Sequence, residues 1–196
     1  MRRLLILAIL LCGLEATAQE RQIAMDFMGF SADGEHFVVK RYDHHVGWGI
    51  SVRSLADGTQ VREHLYTSAE EKQTLARVKR RHKLQEGTGP RSPDERYVAL
   101  GAQNGDQFDI LIMRKPLIGR FQEIPLRSAD TPQRGEAILK KAAWSPDGRH
   151  LVVILNEKTS GLGAWERDTV YAYRFRPWDV TWFRAEEKEE KKENDQ

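Results

Sequence analysis

Three short segments of this chain repeat one pattern, and this repetition constrains the fold more than any other feature. The segments are GFSADGEHFVVK, PRSPDERYVALG and AAWSPDGRHLVVIL, and they align without gaps on Ser31, Ser92 and Ser145. In each copy an aspartate follows the serine by two residues and a ring follows it by five. Three apolar residues come next. The pattern predicts one local structure that is built three times.

The residues of the pattern are typical of a tight turn between two strands. Pro93 and Pro146 preset φ for the first central position of a turn, and aspartate suits the next position. Gly34 and Gly148 then supply a residue that enters the left-handed region freely. The middle copy has Glu95 at that place, which costs on the order of 1 kcal/mol if the residue is left-handed. Apolar residues with a preference for strands follow each turn.

Each copy extends into an antiparallel meander. The strands predicted for the first copy cover residues 23–30, 35–42, 48–55 and 59–65, and those of the third cover 138–144, 149–156, 168–175 and 180–184. The middle copy has strands at 96–102, 108–114 and 121–126. It carries Arg91 where the others have Phe30 or Trp144, which weakens its first strand. The predicted fold class is all-β, with antiparallel four-stranded meanders in about three repeat units.

A helix is predicted between the first two copies, over residues 68–84. Ser68 and Glu71 have the spacing of a capping box, and Gly87, Gly89 and Pro90 are predicted to end the segment.

The segments FSADG (30–34) and WSPDGRHL (144–151) resemble the repeat of Tol-B-like β-propellers, the WD40-like repeats of the PD40 type. The GFSADG opening also resembles uncharacterised predicted secreted proteins of bacteria. The resemblance implies a propeller-like arrangement and the binding of other proteins, and it carries over no catalytic residue. Closed propellers have about four to eight blades. An incomplete propeller, a propeller completed by a second chain and a sandwich of meanders therefore all stay open.

The N-terminus has the pattern of a secretory signal peptide. Arg2 and Arg3 precede the apolar run Leu4–Leu11, and Ala16-Thr17-Ala18 offers a cleavage site for small residues. We predict that residues 1–18 are removed near Ala18 and that the product is secreted or periplasmic. Residues 19–184 then form the β domain. The single cysteine, Cys12, lies inside the predicted signal peptide.

Charge indicates which partners to expect. The net charge of +2 is too small to favour nucleic acid. The densest basic run, Arg77–Lys83, lies on the predicted helix, where the helix dipole alone explains it. A weak contact with an anionic membrane is the alternative for this run. Residues 185–196 are almost all charged or polar, and we predict a disordered tail.

The meander geometry predicts where a partner binds. The Ser-x-Asp turns should share one end of the sheets, and the loops between second and third strands should share the other. The second group of loops includes residues 104–107 and the residues that we predict to contact a protein partner, which are His44, His45, Trp48, Trp165 and Arg167. Aromatic side chains beside arginine are typical of interfaces.

No catalytic, cofactor-binding or metal-binding residue is predicted. His36 and His150 occupy the same place in the repeat as Tyr97, which indicates packing. Adjacent histidines on an extended chain point to opposite faces, so His44 and His45 are poorly placed to chelate one metal. The predicted function is a secreted or periplasmic non-catalytic protein-interaction module. Two alternatives stay open: a hydrolase or metal-dependent enzyme that uses the loops near His44 and His45, and an envelope-associated structural protein.

Overall fold

The computed structural model describes residues 22–126, 135–159 and 165–184. The predicted signal peptide (1–18) and the predicted disordered tail (185–196) lie outside the described residues. Within these three ranges, no helix is both long and apolar enough to cross a bilayer.

Eleven strands and one α-helix make up the described chain. In order they are β1 (Gln22–Phe30), β2 (His36–Asp43), β3 (Gly47–Ser54), β4 (Gln60–Tyr66), α1 (Glu71–His82), β5 (Val98–Asn104), β6 (Gln107–Arg114), β7 (Leu117–Pro125), β8 (Gly135–Trp144), β9 (His150–Thr159), β10 (Glu166–Arg174) and β11 (Thr181–Arg184). A 3-10 turn at Pro177–Asp179 precedes β11. The predicted all-β class with one inserted helix is confirmed.

The strands form two sheets, and neither closes on itself. A seven-stranded sheet has the order β4-β3-β2-β1-β10-β9-β8, and a four-stranded sheet has the order β11-β7-β6-β5. The propeller-like arrangement is therefore wrong. The first and third copies of the repeat merge into one open sheet, whereas separate four-stranded blades were expected.

The merger takes place where β1 meets β10. These strands pair in parallel, with Gln22 opposite Glu166 and Ile23 opposite Arg167, while the other pairings within both sheets are antiparallel. The Asp168 carboxylate continues this connection, because its Oδ2 accepts a hydrogen bond from the Met25 N–H at 2.7 Å.

The same carboxylate holds the sheet in a curled shape. Lys140 of β8 donates to Asp168 Oδ2 at 2.5 Å and to the Met25 carbonyl of β1 at 3.1 Å. In the order of the sheet, β10 and β9 separate β8 from β1, which is about 14 Å in a flat sheet. One lysine side chain spans the gap only because the sheet is strongly curved. Asn156 donates to the other carboxylate oxygen at 3.0 Å.

The last strand differs from its prediction. Residues 180–184 were expected to complete the third meander, but β11 pairs with β7 and becomes the outer strand of the four-stranded sheet. The turn at Pro177–Asp179 redirects the chain after β10. Arg91 makes only an isolated bridge to Val98, so among the described residues the middle copy lacks its first strand and takes β11 instead.

The three predicted turns are confirmed and have the same hydrogen bonds. Each serine Oγ donates to the aspartate Oδ1, at 2.6 Å for Ser92 and 2.5 Å for Ser145. The serine Oγ also accepts the N–H of the ring residue five positions later, at 2.9–3.0 Å. All three serines are buried. The repeat therefore encodes a side-chain bridge that closes the turn.

Helix α1 is shorter than predicted, and its N-terminal contacts shift by one residue. The Ser68–Glu71 capping box is wrong: Glu70 is the N-cap, and its carboxylate accepts the Thr67 N–H at 3.0 Å. The helix ends when Lys83 adopts the left-handed conformation, with φ of 46°, so the expected glycines do not end it. Thr74 and Val78 are its buried residues.

Strand β9 is the centre of the core because both of its faces are buried. Leu151, Val153 and Leu155 pack with Phe108, Ile110 and other residues of the four-stranded sheet. Val152 and Ile154 belong to a second cluster with Phe30, Phe37 and Val39. The unbroken apolar run LVVIL reflects this double burial, which stabilises by roughly 1.5–3 kcal/mol per side chain.

Substitutions at the glycine position of the turns test their geometry. Glu95 has φ of 58°, close to the 72° of Gly34. Glu95→Gly is expected to raise the free energy of unfolding by about 0.5–1 kcal/mol, because relief of the left-handed strain exceeds the added freedom of the unfolded chain. Gly34→Ala is the matched control and should lower the free energy of unfolding by a similar amount, because the left-handed backbone at φ of 72° strains any residue that has a Cβ. The added Cβ meets no atom within 4 Å, so no steric clash adds to this cost. Urea denaturation measures both, and destabilisation by Glu95→Gly would contradict the turn geometry.

A second prediction concerns the carboxylate between β1, β8 and β10. Asp168→Ala is expected to lower the free energy of unfolding by about 3 kcal/mol, since the Lys140 ammonium and the Met25 N–H lose their acceptor. Asn156→Ala removes one neutral donor from the same carboxylate and should cost about 1 kcal/mol. Denaturation in urea at pH 7 compares the two. A smaller loss for Asp168→Ala than for Asn156→Ala would show that the carboxylate does not hold the strands.

Candidate functional site

The loops predicted to contact a partner lie together at one end of the seven-stranded sheet. Ile23 of β1 is in register with Asp43 on one side and with Arg167 on the other. With neighbouring strands about 4.8 Å apart, the backbones of Asp43 and Arg167 are about 10 Å from each other. The β2–β3 turn and the start of β10 are therefore neighbours.

The loop of the middle copy reaches the same end through Gln103. Its side-chain amide donates to the Gly135 carbonyl and accepts the Ala137 N–H, at 3.1 and 3.0 Å, which mimics strand pairing between β5 and β8. Gly135 pairs in turn with Thr159 at the end of β9. We call residues 44–48, 104–107 and 165–167 the loop rim.

The β2–β3 turn is rigid below its exposed tip. The buried Asp43 carboxylate accepts the His45 N–H at 2.9 Å and binds the Arg41 guanidinium at 2.6 Å. His44, His45 and Val46 are exposed above it, and Val46 retains 50% of its accessible surface. The rings of His44 and His45 lie 5.5 Å apart, edge to face.

Trp48 has a supporting place in the rim. It is half-buried, with its ring 4.7 Å from Tyr42 and the Lys40 ammonium 4.4 Å from its centroid. It also packs beside the cluster that joins α1 to the sheet. Trp48 therefore anchors the turn more than it offers a free surface.

Trp165 and Arg167 form one unit. The Arg167 guanidinium lies 4.3 Å from the Trp165 ring centroid, and its Nε is 3.2 Å from Glu157 Oε2. The backbone of Trp165 is fixed by two hydrogen bonds with Thr159. Arg167 is exposed and Trp165 is half-buried. An arginine plane held against an indole ring is pre-organised for contact with a partner.

Glu157 is a buried carboxylate that sequence reasoning missed. Besides Arg167, it accepts hydrogen bonds from Thr169 at 2.9 Å and from the Tyr171 hydroxyl at 3.0 Å. Burial, with the charge of Glu157, raises the pKa of Tyr171 well above its usual value. Burial alone raises the pKa of the neighbouring Tyr173 to about 12. Residues 157–159 are all polar in the sequence, so their pattern did not indicate that Glu157 is buried.

The opposite end of the sheet holds a second feature. The first and third turns border a cleft of about 740 Å³ that is lined by Asp33, His36, Asp147 and His150, among others. Sequence reasoning treated both histidines as packing residues because they share a repeat position. The structure places both at the wall of this cleft, and burial lowers the pKa of His150.

Metal-binding potential differs between the two ends. Within the described ranges, the cluster whose ligand atoms lie close enough to share an ion is Asp33, Glu35 and His36, with all three atoms within 4.8 Å. Asp33 Oδ1 is already used by Ser31 and by the Glu35 N–H. This cluster is at the turn end, away from His44 and His45.

Comparisons with protein families, with curated proteins and with solved structures found no match to this chain. Its function is therefore argued from the geometry of the described residues.

The half-buried Tyr173, which pairs with Leu151 at the turn end of β10, gives a pH-dependent prediction. The folded state keeps the Tyr173 phenol neutral up to a pKa of about 12, whereas the unfolded chain ionises near pH 10. The stabilisation that comes from Tyr173 is complete below pH 10 and is lost as the pH rises towards 12. Tyr173→Phe should therefore raise the pH midpoint of alkaline unfolding and change stability little at pH 8. Urea unfolding at pH 8, 10 and 11 tests this, and an unchanged midpoint contradicts it.

Proposed function

We propose that this chain is an exported, non-catalytic interaction module that binds a protein partner at the loop rim. The observation that carries the proposal is the register of Ile23 with both Asp43 and Arg167. It brings two loops that are far apart in sequence to one end of a rigid sheet.

The chemistry of the rim suits a protein surface. Val46 offers an exposed aliphatic side chain, His44 and His45 offer ring nitrogens, and Arg167 offers a cation fixed on an aromatic ring. Rigid aromatic and arginine anchors surrounded by polar groups are what protein interfaces favour. Because the rim is pre-organised by Asp43 and Glu157, binding orders few side chains.

Site-specific crosslinking tests this proposal. Photoreactive benzoylphenylalanine placed at Val46 is expected to give a discrete conjugate in the intact cells that produce the protein. Placed at Trp178, which is 77% exposed beyond the opposite end of β10, the same group should give none. Equal conjugates at both positions, or none at Val46, would refute a partner site at the rim.

Affinity for the partner identified in this way gives the second measurement. Val46→Asp combined with His45→Ala should weaken binding at least tenfold while the melting temperature stays near that of the wild type. Both side chains are exposed at the tip of the β2–β3 turn, so the changes remove rim contacts and leave the core untouched. Unchanged affinity would place the interface elsewhere.

A further inference from the structure

Helix α1 and the edge strand β4 together form a cationic surface that is separate from the loop rim. It consists of Arg62 and His64 on β4 with Arg77, Arg81 and His82 on α1, and we call it the α1–β4 patch. The three arginines are exposed and the two histidines are half-buried. Since β4 is the end strand of the seven-stranded sheet, the patch lies at an open edge.

The acidic residues of these elements do not neutralise the patch. Glu63 binds the Arg41 guanidinium at 2.9 Å, Glu71 binds Lys40, and Glu70 bonds within the start of the helix. Throughout the described part of the chain, none of the three patch arginines makes an ion pair. The positive charge is therefore available to a ligand.

Both histidines of the patch have an enclosed nitrogen without a hydrogen-bond partner. These atoms are Nε2 of His64 and Nε2 of His82. Burial first, and then Arg77, lowers the pKa of His64, while burial and Arg81 lower that of His82. An oxygen-rich anion at the exposed guanidinium groups would offset the repulsion between these cations.

The length of the cationic row indicates a ligand larger than one small anion. The cations continue along the exposed side of α1 through Lys72, Lys79 and Arg80, on a helix about 18 Å long. A continuous row of exposed cations of this length matches a surface that carries many anionic headgroups.

The exposed aliphatic residues of β4 are not part of the patch. Val61 and Leu65 alternate with Arg62 and His64 along the strand, so they point to the opposite face of the sheet.

We propose that the α1–β4 patch binds the phosphate groups of anionic phospholipids and holds the domain against a bilayer surface. Arginine forks bond phosphate oxygens in pairs, which suits Arg77 and Arg81, one helical turn apart. Arg62 of β4 adds a third exposed guanidinium to this contact. This attachment is peripheral and does not depend on the partner site at the loop rim.

Vesicle flotation tests the proposal with the chain from residue 19 onward, which retains every described residue. Binding is expected to phosphatidylcholine vesicles that contain 30% phosphatidylglycerol, and to be absent with phosphatidylcholine alone. Arg77→Glu with Arg81→Glu should reduce the partition coefficient at least tenfold. Val61→Ser with Leu65→Ser, on the opposite face of β4, should change it less than twofold.

A matched control carries the same change of charge on another basic surface. Arg91 and Arg114 line a groove of about 650 Å³ on the four-stranded sheet, and their double change to glutamate should alter binding less than twofold. Melting temperatures check that each variant folds. If the variant with Arg77→Glu and Arg81→Glu does not fold, the variant with Arg77→Gln and Arg81→Gln replaces it. The glutamines remove the same positive charges without adding negative ones, and this variant should also bind vesicles more weakly.

Several outcomes would overturn the proposal. These are no binding to phosphatidylglycerol vesicles, an equal loss in the control variant, or tighter binding to polyglutamate or duplex DNA than to vesicles. Calorimetry with inorganic phosphate distinguishes a small-anion site. Saturable phosphate binding that needs Arg77 and Arg81, without vesicle binding, would assign the patch to free phosphate and exclude the lipid.

Discussion

The architecture depends on one buried carboxylate that bonds to three neighbouring strands. Asp168 of β10 bonds the backbone of β1, the ammonium of Lys140 on β8 and the amide of Asn156 on β9. The first and third copies of the repeat are joined in register by two parallel residue pairs. Apolar side chains of the first copy, such as Phe37, also pack with Val152 and Ile154 of the third. The carboxylate turns this short junction into a continuous, curled sheet. The clusters on both faces of β9 and the closeness of the rim loops all follow from that sheet.

The local structure could be predicted from the sequence because its causes are local. Each Ser-x-Asp unit contains the hydroxyl, carboxylate and turn residues that close it, so the three turns and the strands behind them follow from the segment alone. Arg91 correctly indicated a missing strand in the middle copy. The glutamate at position 95 adopts the left-handed conformation that its place in the repeat required.

The arrangement of the strands could not be predicted in the same way. The pairing of β1 with β10 depends on Asp168, and the pairing of β11 with β7 depends on the turn after β10. Neither pairing is indicated by the hydrophobic periodicity of the sequence. A resemblance in the repeat therefore suggested blades that the sheets do not form. Likewise, the burial of Glu157 depends on its partners on β10, and the approach of His64 to α1 depends on packing of the helix against the sheet. Neither can be read from the local sequence. The loop residues were predictable as a group, because antiparallel connections place alternate loops at opposite ends of any meander.

The junction of β1 and β10 also has a consequence for how the chain reaches this state. The contact between Met25 and Asp168 spans 143 residues. Contacts of such separation close large loops and form late, because the entropy of closure must be overcome first. During synthesis, one edge of β1 therefore stays unpaired until nearly the whole domain has emerged. An N-terminal fragment containing only the first meander would keep that edge exposed, ready to pair with a strand from another molecule.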